Sequence, residues 1–239
     1  MTSPRAILLL VAISAWATAV NASVPIIVGY GPGRRAVLNL CTDAEDRLKN
    51  GDIAGAKRDV DTALHADPTL WPALYVRAKI FVRQGKYDLA IQDCNEALRQ
   101  YPGFVEAALL RAKINARLGK YAEALKEFNY LVSIRPRSVT LARVLSNRAW
   151  FQATCPNASF RNGQQAIKDA KAACSIMAWK DEDMIDTLAA AYAETGDFDS
   201  AARYAAQALA VKGISPDDAK VFREHVAWFQ QRKRIPVSQ

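Results

Sequence analysis

The sequence predicts an all-α protein, a row of about five helix-turn-helix units closed by a C-terminal capping helix. Three observations predict it. Small residues, glycines and prolines recur every 34 residues: Gly51, Gly85 and Gly119; Pro68, Pro102 and Pro136; Ala44, Ala78 and Ala112; Ala56, Ala90 and Ala124; and Ala63, Ala97 and Leu131. Within each period the order small residue, glycine, aromatic, small, small, proline suits two antiparallel helices whose backbones approach closely. The alternation of apolar and polar residues that marks a half-buried strand is absent.

The unit WPALYVRAKIFVRQGKYDLAIQDCNEALRQYP, residues 71–102, shows the logic. A first helix is expected over 72–84 and a second over 87–100. Gly85 and Lys86 turn the chain between them, because glycine takes the left-handed conformation that ends a helix at little cost. Ala78 faces Ala90 and Ala97, and Leu74, Phe81, Tyr87 and Leu98 fill the space around that contact. Pro102 stops the second helix, since it cannot continue the hydrogen-bond ladder. These residues and their spacing resemble the tetratricopeptide repeat (TPR) family. The resemblance covers about residues 37–212 and implies a solenoid in which the stack, not the single unit, buries the apolar faces.

From the start of the chain, residues 1–22 read as an export signal: Arg5 is the only charge, an apolar run spans 6–20, and Val20-Asn21-Ala22 fits a small-x-small cleavage site that leaves Ser23 first. The expected location is periplasmic or secreted. An uncleaved segment anchored in the inner membrane is the alternative, although the apolar run is shorter than the roughly 20 residues of a spanning helix. Residues 23–36, with Pro25, Gly29, Gly31, Pro32 and Gly33, read as a linker. Their GYGPG lacks the Gly-Lys-Ser/Thr of a phosphate loop.

Repeats follow at 37–70, 71–104, 105–138, 142–178 and 182–213. The fourth departs from the period, with Ala149 standing 37 residues after Ala112 and a polar turn, CPNASFRNG, lengthening its hairpin. This pair is similar to variant repeats of bacterial TPR proteins and to those appended to some bacterial serine/threonine kinases; no kinase motif accompanies it. Residues 214–239 form the cap and a basic tail. Ser215 is its N-cap, Pro216 its first residue, and Asp217 and Asp218 face the positive helix end. Val221, Phe222, Val226 and Phe229 form its apolar stripe, and Arg232, Lys233 and Arg234 suit its negative end.

The chain is basic, with net charge +8, and the excess is uneven: residues 23–155 carry 20 Lys+Arg against 13 Asp+Glu, residues 156–239 carry 11 of each. In a TPR stack the first helix of each unit lines the concave face. Lys49, Arg83 and Arg117 form one such series, Lys79 and Lys113 another, and Tyr75 and Leu109 lie one turn before those. These residues are the candidate partner-binding set, a basic and partly apolar groove for an acidic or carboxylate-ended peptide. Lys79 and Lys113 stand where carboxylate-clamp TPRs place Asn. Asp181, Glu182, Asp183 and Asp186 make the start of the fifth repeat acidic. A nucleic-acid surface is not expected, because acids are interspersed among the cations and no aromatic-basic platform is visible.

No catalytic, cofactor-binding or metal-binding residue is identified. His65 and His225 lie far apart in the repeat order, and no nucleophile motif or Cys-x-x-Cys occurs. Of Cys41, Cys94, Cys155 and Cys174, the last two flank the fourth hairpin, where antiparallel packing would hold them beyond bonding distance. The sequence therefore points to a non-enzymatic scaffold in the cell envelope that binds a protein or peptide. An inner-membrane assembly factor and an enzyme of unrecognised type are the alternatives.

Overall fold

The computed structural model describes residues 32–236, which form eleven α-helices, one short 3₁₀ turn and no strand. No described helix is long and apolar enough to cross a membrane. The expected signal, the cleavage site and most of the linker lie outside the described residues. Residues up to Ala107 and residues from Ala108 form two compact units.

The first unit contains α1 (Pro32–Lys49), α2 (Ile53–Ala66), α3 (Trp71–Arg83), α4 (Tyr87–Gln100) and the start of α5 (Val105–Arg117). Helix α1 begins ahead of the expected boundary at residue 37, so the last residues of the sequence-defined linker are helical. Proline is tolerated there because the first helical N–H has no intrahelical acceptor to lose. The second unit contains the rest of α5, then α6 (Tyr121–Ser133), α7 (Ser138–Thr154), the 3₁₀ turn Ala158–Phe160, α8 (Gly163–Ile176), α9 (Glu182–Glu194), α10 (Phe198–Leu209) and α11 (Pro216–Gln230).

Small residues set the helix crossings. Ala44, Ala78, Ala112, Ala149 and Ala189 on the first helices of the hairpins are all 0% exposed. So are Ala56, Ala90, Ala124, Ala166 and Ala201 on the second helices. A larger side chain at any of them would have to push two backbones apart. Gly85 turns α3 into α4 at φ +72°, the Gly85 N–H donating to Val82 O at 3.1 Å and the Lys86 N–H to Phe81 O at 2.9 Å. That pair of bonds satisfies carbonyls which a helix end leaves orphaned.

Each unit has its own core. In the first, Val60, Leu64, Leu74, Val76 and Ile80 pack between the helices, and Trp71 meets Tyr101 and Phe104 at ring separations of 5.1 and 4.6 Å. In the second, Leu145, Ile185, Leu188 and Phe222 join a floor of alanines, and Phe229 packs on Ala189, Ala193, Ala201 and Ala205.

Ion pairs between the two helices of a hairpin recur at the repeat spacing. Arg77 holds Asp93 through two bonds of 2.8 Å, Arg111 holds Glu127 with its Nε 3.1 Å from Oε1, and Arg148 holds Asp169 at 2.7 and 2.9 Å. Asp93 and Asp169 are buried, and a buried carboxylate needs such a partner.

The fourth hairpin's longer turn is built from local bonds: Asn157 Oδ1 accepts from the Ser159 N–H and Asn162 Oδ1 from the Gln165 N–H, both at 3.0 Å. A Cβ on Gly163 would lie 2.6 Å from Thr195 Cγ2, so this glycine lets the turn sit against the end of α9. Arg161 and Arg234 both reach Glu194, at 3.1 and 3.3 Å, which ties the residues after α11 to the same place.

Helix α11 starts as its sequence suggests, with Ser215 Oγ accepting from the Asp218 N–H at 3.0 Å. Its buried stripe differs from expectation at two positions. Val221 is 44% exposed, and His225 is 5% exposed, with its Nδ1 2.7 Å from Asp186 Oδ2. All four cysteines are buried and none forms a disulfide.

Candidate functional site on the first helices of the repeats

In the first unit, Lys49, Tyr75, Lys79 and Arg83 all lie on α1 or α3. Lys79 Nζ is 3.0 Å from Glu45 Oε1 and 5.3 Å from the Tyr75 ring centroid. Glu45 precedes Lys79 by 34 residues, so an acid holds this register position in the first repeat and neutralises the cation of the second. Tyr75 is half-buried and meets Phe104 edge-on at 4.9 Å. Lys49 is exposed and donates to Asp46 at 2.9 Å, a bond that raises its pKa. Arg83 is exposed on the last turn of α3.

In the second unit the expectation for Leu109 is corrected: it is 5% exposed and belongs to the core. Its register explains why. The equivalent residues of the next two repeats, Ser146 and Asp186, are also buried and reach sideways to neighbouring helices, Ser146 Oγ to Thr187 Oγ1 at 3.4 Å and Asp186 to His225. This column joins helix to helix. Arg117 is exposed on the last turn of α5.

Lys113 is different. It is exposed, yet burial lowers its pKa, the charge of Arg143 lowers it further, and Asp183 opposes both. Its neighbours thus disfavour the charged form although water reaches the side chain. Asp183 is the counterpart on α9. It too is exposed, and its pKa is raised by burial first and then by Asp181, Asp218, Glu182 and Asp186. Neither Lys113 nor Arg143 makes an ion pair among the described residues. Trp150, one residue after Ala149 as Lys113 is one after Ala112, is 37% exposed with its ring 6.3 Å from His225.

Arg143 and Trp150 were not singled out from the sequence. Both fall in the register of a first helix once the three added residues before Ala149 are counted, so the signal for them was present.

Nothing among the described residues favours nucleophilic or metal chemistry. Burial raises the Cys41 thiol to about 11 and the Cys174 thiol to about 12, which keeps both protonated at neutral pH. No three His, Cys, Asp or Glu side chains among the described residues converge as a metal ion would require.

The tetratricopeptide repeat family matches residues 42–103 and again 75–139. No curated protein matches the sequence. Among solved structures, the fold is similar to that of the Cut9–Hcn1 hetero-tetramer of the APC/C, with TM-score 0.69 and 18% identity over 86% of this chain; the chain spans 38% of that one. It is also similar to TTC0263, a thermophilic TPR protein of Thermus thermophilus, with TM-score 0.68 and 18% identity over 80% of this chain and 100% of that one. YrrB, described as a TPR protein with an unusual peptide-binding site, gives TM-score 0.50 and 15% identity over 77% of this chain and 90% of that one. Such identities speak for the fold, one that serves generally as a scaffold for protein interactions. The chain's first three repeats thus belong to the tetratricopeptide repeat family, and the hairpins that follow continue the same fold.

Proposed function

We propose that the chain is a non-enzymatic scaffold that holds an acidic or carboxylate-bearing segment of a partner protein against the first-helix face of its second unit. Lys113 and Arg143 are the cations that meet it. The observation that carries this reading is Lys113 itself, an exposed ammonium set beside a second cation at a cost to its own charge. Groups whose charge is disfavoured by burial and a neighbouring charge cluster at functional sites. Peptide binding by YrrB, a protein of similar fold, supports the choice of ligand class. In the first unit, Arg83 and the Tyr75–Lys79 pair extend the candidate set, with Lys79 contributing less because Glu45 already satisfies it.

The test is capture of the native partner by immobilised protein. Lys113→Glu with Arg143→Glu should abolish capture and leave helical content unchanged, whereas Lys126→Glu with Lys168→Glu, exposed charges on second helices, should matter little. Equal loss from both pairs would assign binding to overall charge, and full capture by the first pair would remove the proposed site.

The same reading places the protein in the cell envelope on the strength of residues 1–22. A fusion of residues 1–30 to a reporter active only outside the cytoplasm should be active, with Ser23 as the mature N-terminus. Recovery of the uncut chain in membranes would support the anchored form instead.

A further inference from the structure

The first-helix register that carries Lys49, Arg83 and Arg117 changes sign in the fifth repeat. Each of those cations stands two residues before its turn glycine, and Glu194 stands two before Gly196. Glu194 is the last residue of α9, so its main-chain carbonyl lies where a helix has no amide of its own left to donate. Carboxylate and carbonyl together offer a guanidinium two acceptors, at a helix end that favours positive charge.

Two arginines meet these acceptors, and they do so unequally. Arg161, with its side chain 21% exposed, donates from Nε to Glu194 Oε1 and from Nη1 to Cys155 O, both at 3.1 Å. It belongs to the turn that leads into α8. Arg234, with its side chain 52% exposed, donates from Nη2 to Glu194 O at 3.2 Å, while its Nη1 stops 3.3 Å from Oε2 without forming a hydrogen bond. That oxygen is buried and has no donor among the described residues. A cavity of about 50 Å³ adjoins it, lined by Ala153 and Thr154 of α7, Ala190 of α9 and Ile235.

The segment that delivers Arg234 is held at a conformational cost. After α11 the chain reverses through Arg232, left-handed at φ 55°, and the Lys233 N–H donates to Trp228 O at 2.9 Å. The Arg232 guanidinium lies 5.8 Å from the Phe198 ring centroid, and Ile235 packs half-buried on the core. Residues 231–234 are all exposed. The groove is therefore shaped for an arginine followed by an aliphatic residue, yet its own chain fills it incompletely. A buried carboxylate oxygen without a donor is destabilising, and a better-seated guanidinium would remove that penalty.

We propose that the groove between the ends of α7 and α9 receives an arginine-bearing segment of a partner protein, and that residues 231–236 occupy it as an exchangeable stand-in. The partner's arginine replaces Arg234 on Glu194, an aliphatic neighbour replaces Ile235, and Arg161 stays in place. Lysine fits less well, because one ammonium cannot span a carboxylate and a carbonyl as a planar fork does. An acidic segment would set its charge against Glu194.

The experiment titrates the full chain into the dye-labelled peptide AKRIPA, blocked at both ends, and follows fluorescence anisotropy. The same peptide with citrulline for arginine, the peptide AKKIPA and free L-arginine are the comparison ligands. Binding to the parent chain is expected to be weak, because Arg234 competes. Arg234→Gln should bind AKRIPA at least about tenfold more tightly, since the groove is then open. Glu194→Gln should abolish binding. If that variant does not fold, the citrulline peptide decides the matter on Arg234→Gln, where it should bind at least about tenfold more weakly than AKRIPA. Lack of saturable binding to Arg234→Gln, equal affinity of parent and Arg234→Gln, or equal affinity for arginine and citrulline would overturn the proposal. So would free arginine that competes as well as the peptide, which would give the groove to a small molecule. A dimer of the parent chain in sedimentation equilibrium that Arg234→Gln dissolves would give it to a second copy instead, with the same consequence. None of these variants touches Lys113 or Arg143, so this groove and the face for the acidic segment stand or fall separately.

Discussion

Single residues show where this chain sets stability against binding. Burial and the charge of Arg143 lower the Lys113 pKa, so between the folded and unfolded values the unfolded chain binds more protons. Stability from this group therefore rises with pH through that window, and at neutral pH the charge is a burden. Lys113→Met should raise the melting temperature at pH 7 and lose that advantage above about pH 10.5, the unfolded value, while weakening partner capture. Asp183 runs the other way. Burial raises its pKa, so the folded chain binds more protons and stability falls as pH climbs from about 4 through the folded value. Asp183→Asn should stabilise at pH 7 and give no gain at pH 3. A thermal melt series across pH checks both, and a flat difference for either variant would mean that its surroundings do not disfavour its charge. Arg148 makes the opposite case: with Asp169 only 3% exposed, Arg148→Ala leaves a buried carboxylate with no cation, only the Gln165 amide donating to it at 2.8 Å, and should cost about 3–5 kcal/mol, measurable by urea unfolding. Replacing both by leucine should restore much of that loss.

At the scale of the element, the sequence was readable wherever backbone approach dictates residue size. Ala44, Ala78 and Ala112 at one spacing and Ala56, Ala90 and Ala124 at the same spacing identified the hairpin crossings, because only a small side chain fits there. Ala90→Leu should overpack the second hairpin and destabilise by about 1–3 kcal/mol, whereas Lys86→Leu in the exposed turn should change little. The Arg77–Asp93 and Arg111–Glu127 pairs were legible by the same rule, since both partners recur after 34 residues, but charged residues on a helix read as solvated until the facing helix is placed. Leu109 was misplaced for a related reason. It shares a column with half-exposed Tyr75, and only the neighbouring helices reveal that the column makes lateral contacts in the second unit. The His225–Asp186 contact had no sequence signal, because α11 lies outside the repeat and no period relates it to α9. His225→Leu leaves Asp186 buried without that partner and should cost about 1–3 kcal/mol, read as a loss of melting temperature.

For the whole molecule, function depends on which charges the fold leaves uncompensated. The chain carries net charge +8, but Lys49, Lys79, Arg77, Arg111 and Arg148 all face carboxylates, so the formal excess overstates the cations open to a partner. Exposed pairs of single charges are each worth about 0–1 kcal/mol. Adjacent cations that act together raise association rates in a salt-dependent way. The central claim is that Lys113 and Arg143 act as such a set for an acidic segment. Binding of the purified chain to an array of random dodecapeptides at two ionic strengths tests it most directly. The account predicts enrichment of Asp, Glu and free C-terminal carboxylates, weakening with salt, lost in Lys113→Glu with Arg143→Glu and kept in Lys126→Glu with Lys168→Glu. An array pattern without acidic enrichment, or one that survives reversal of Lys113 and Arg143, would contradict it.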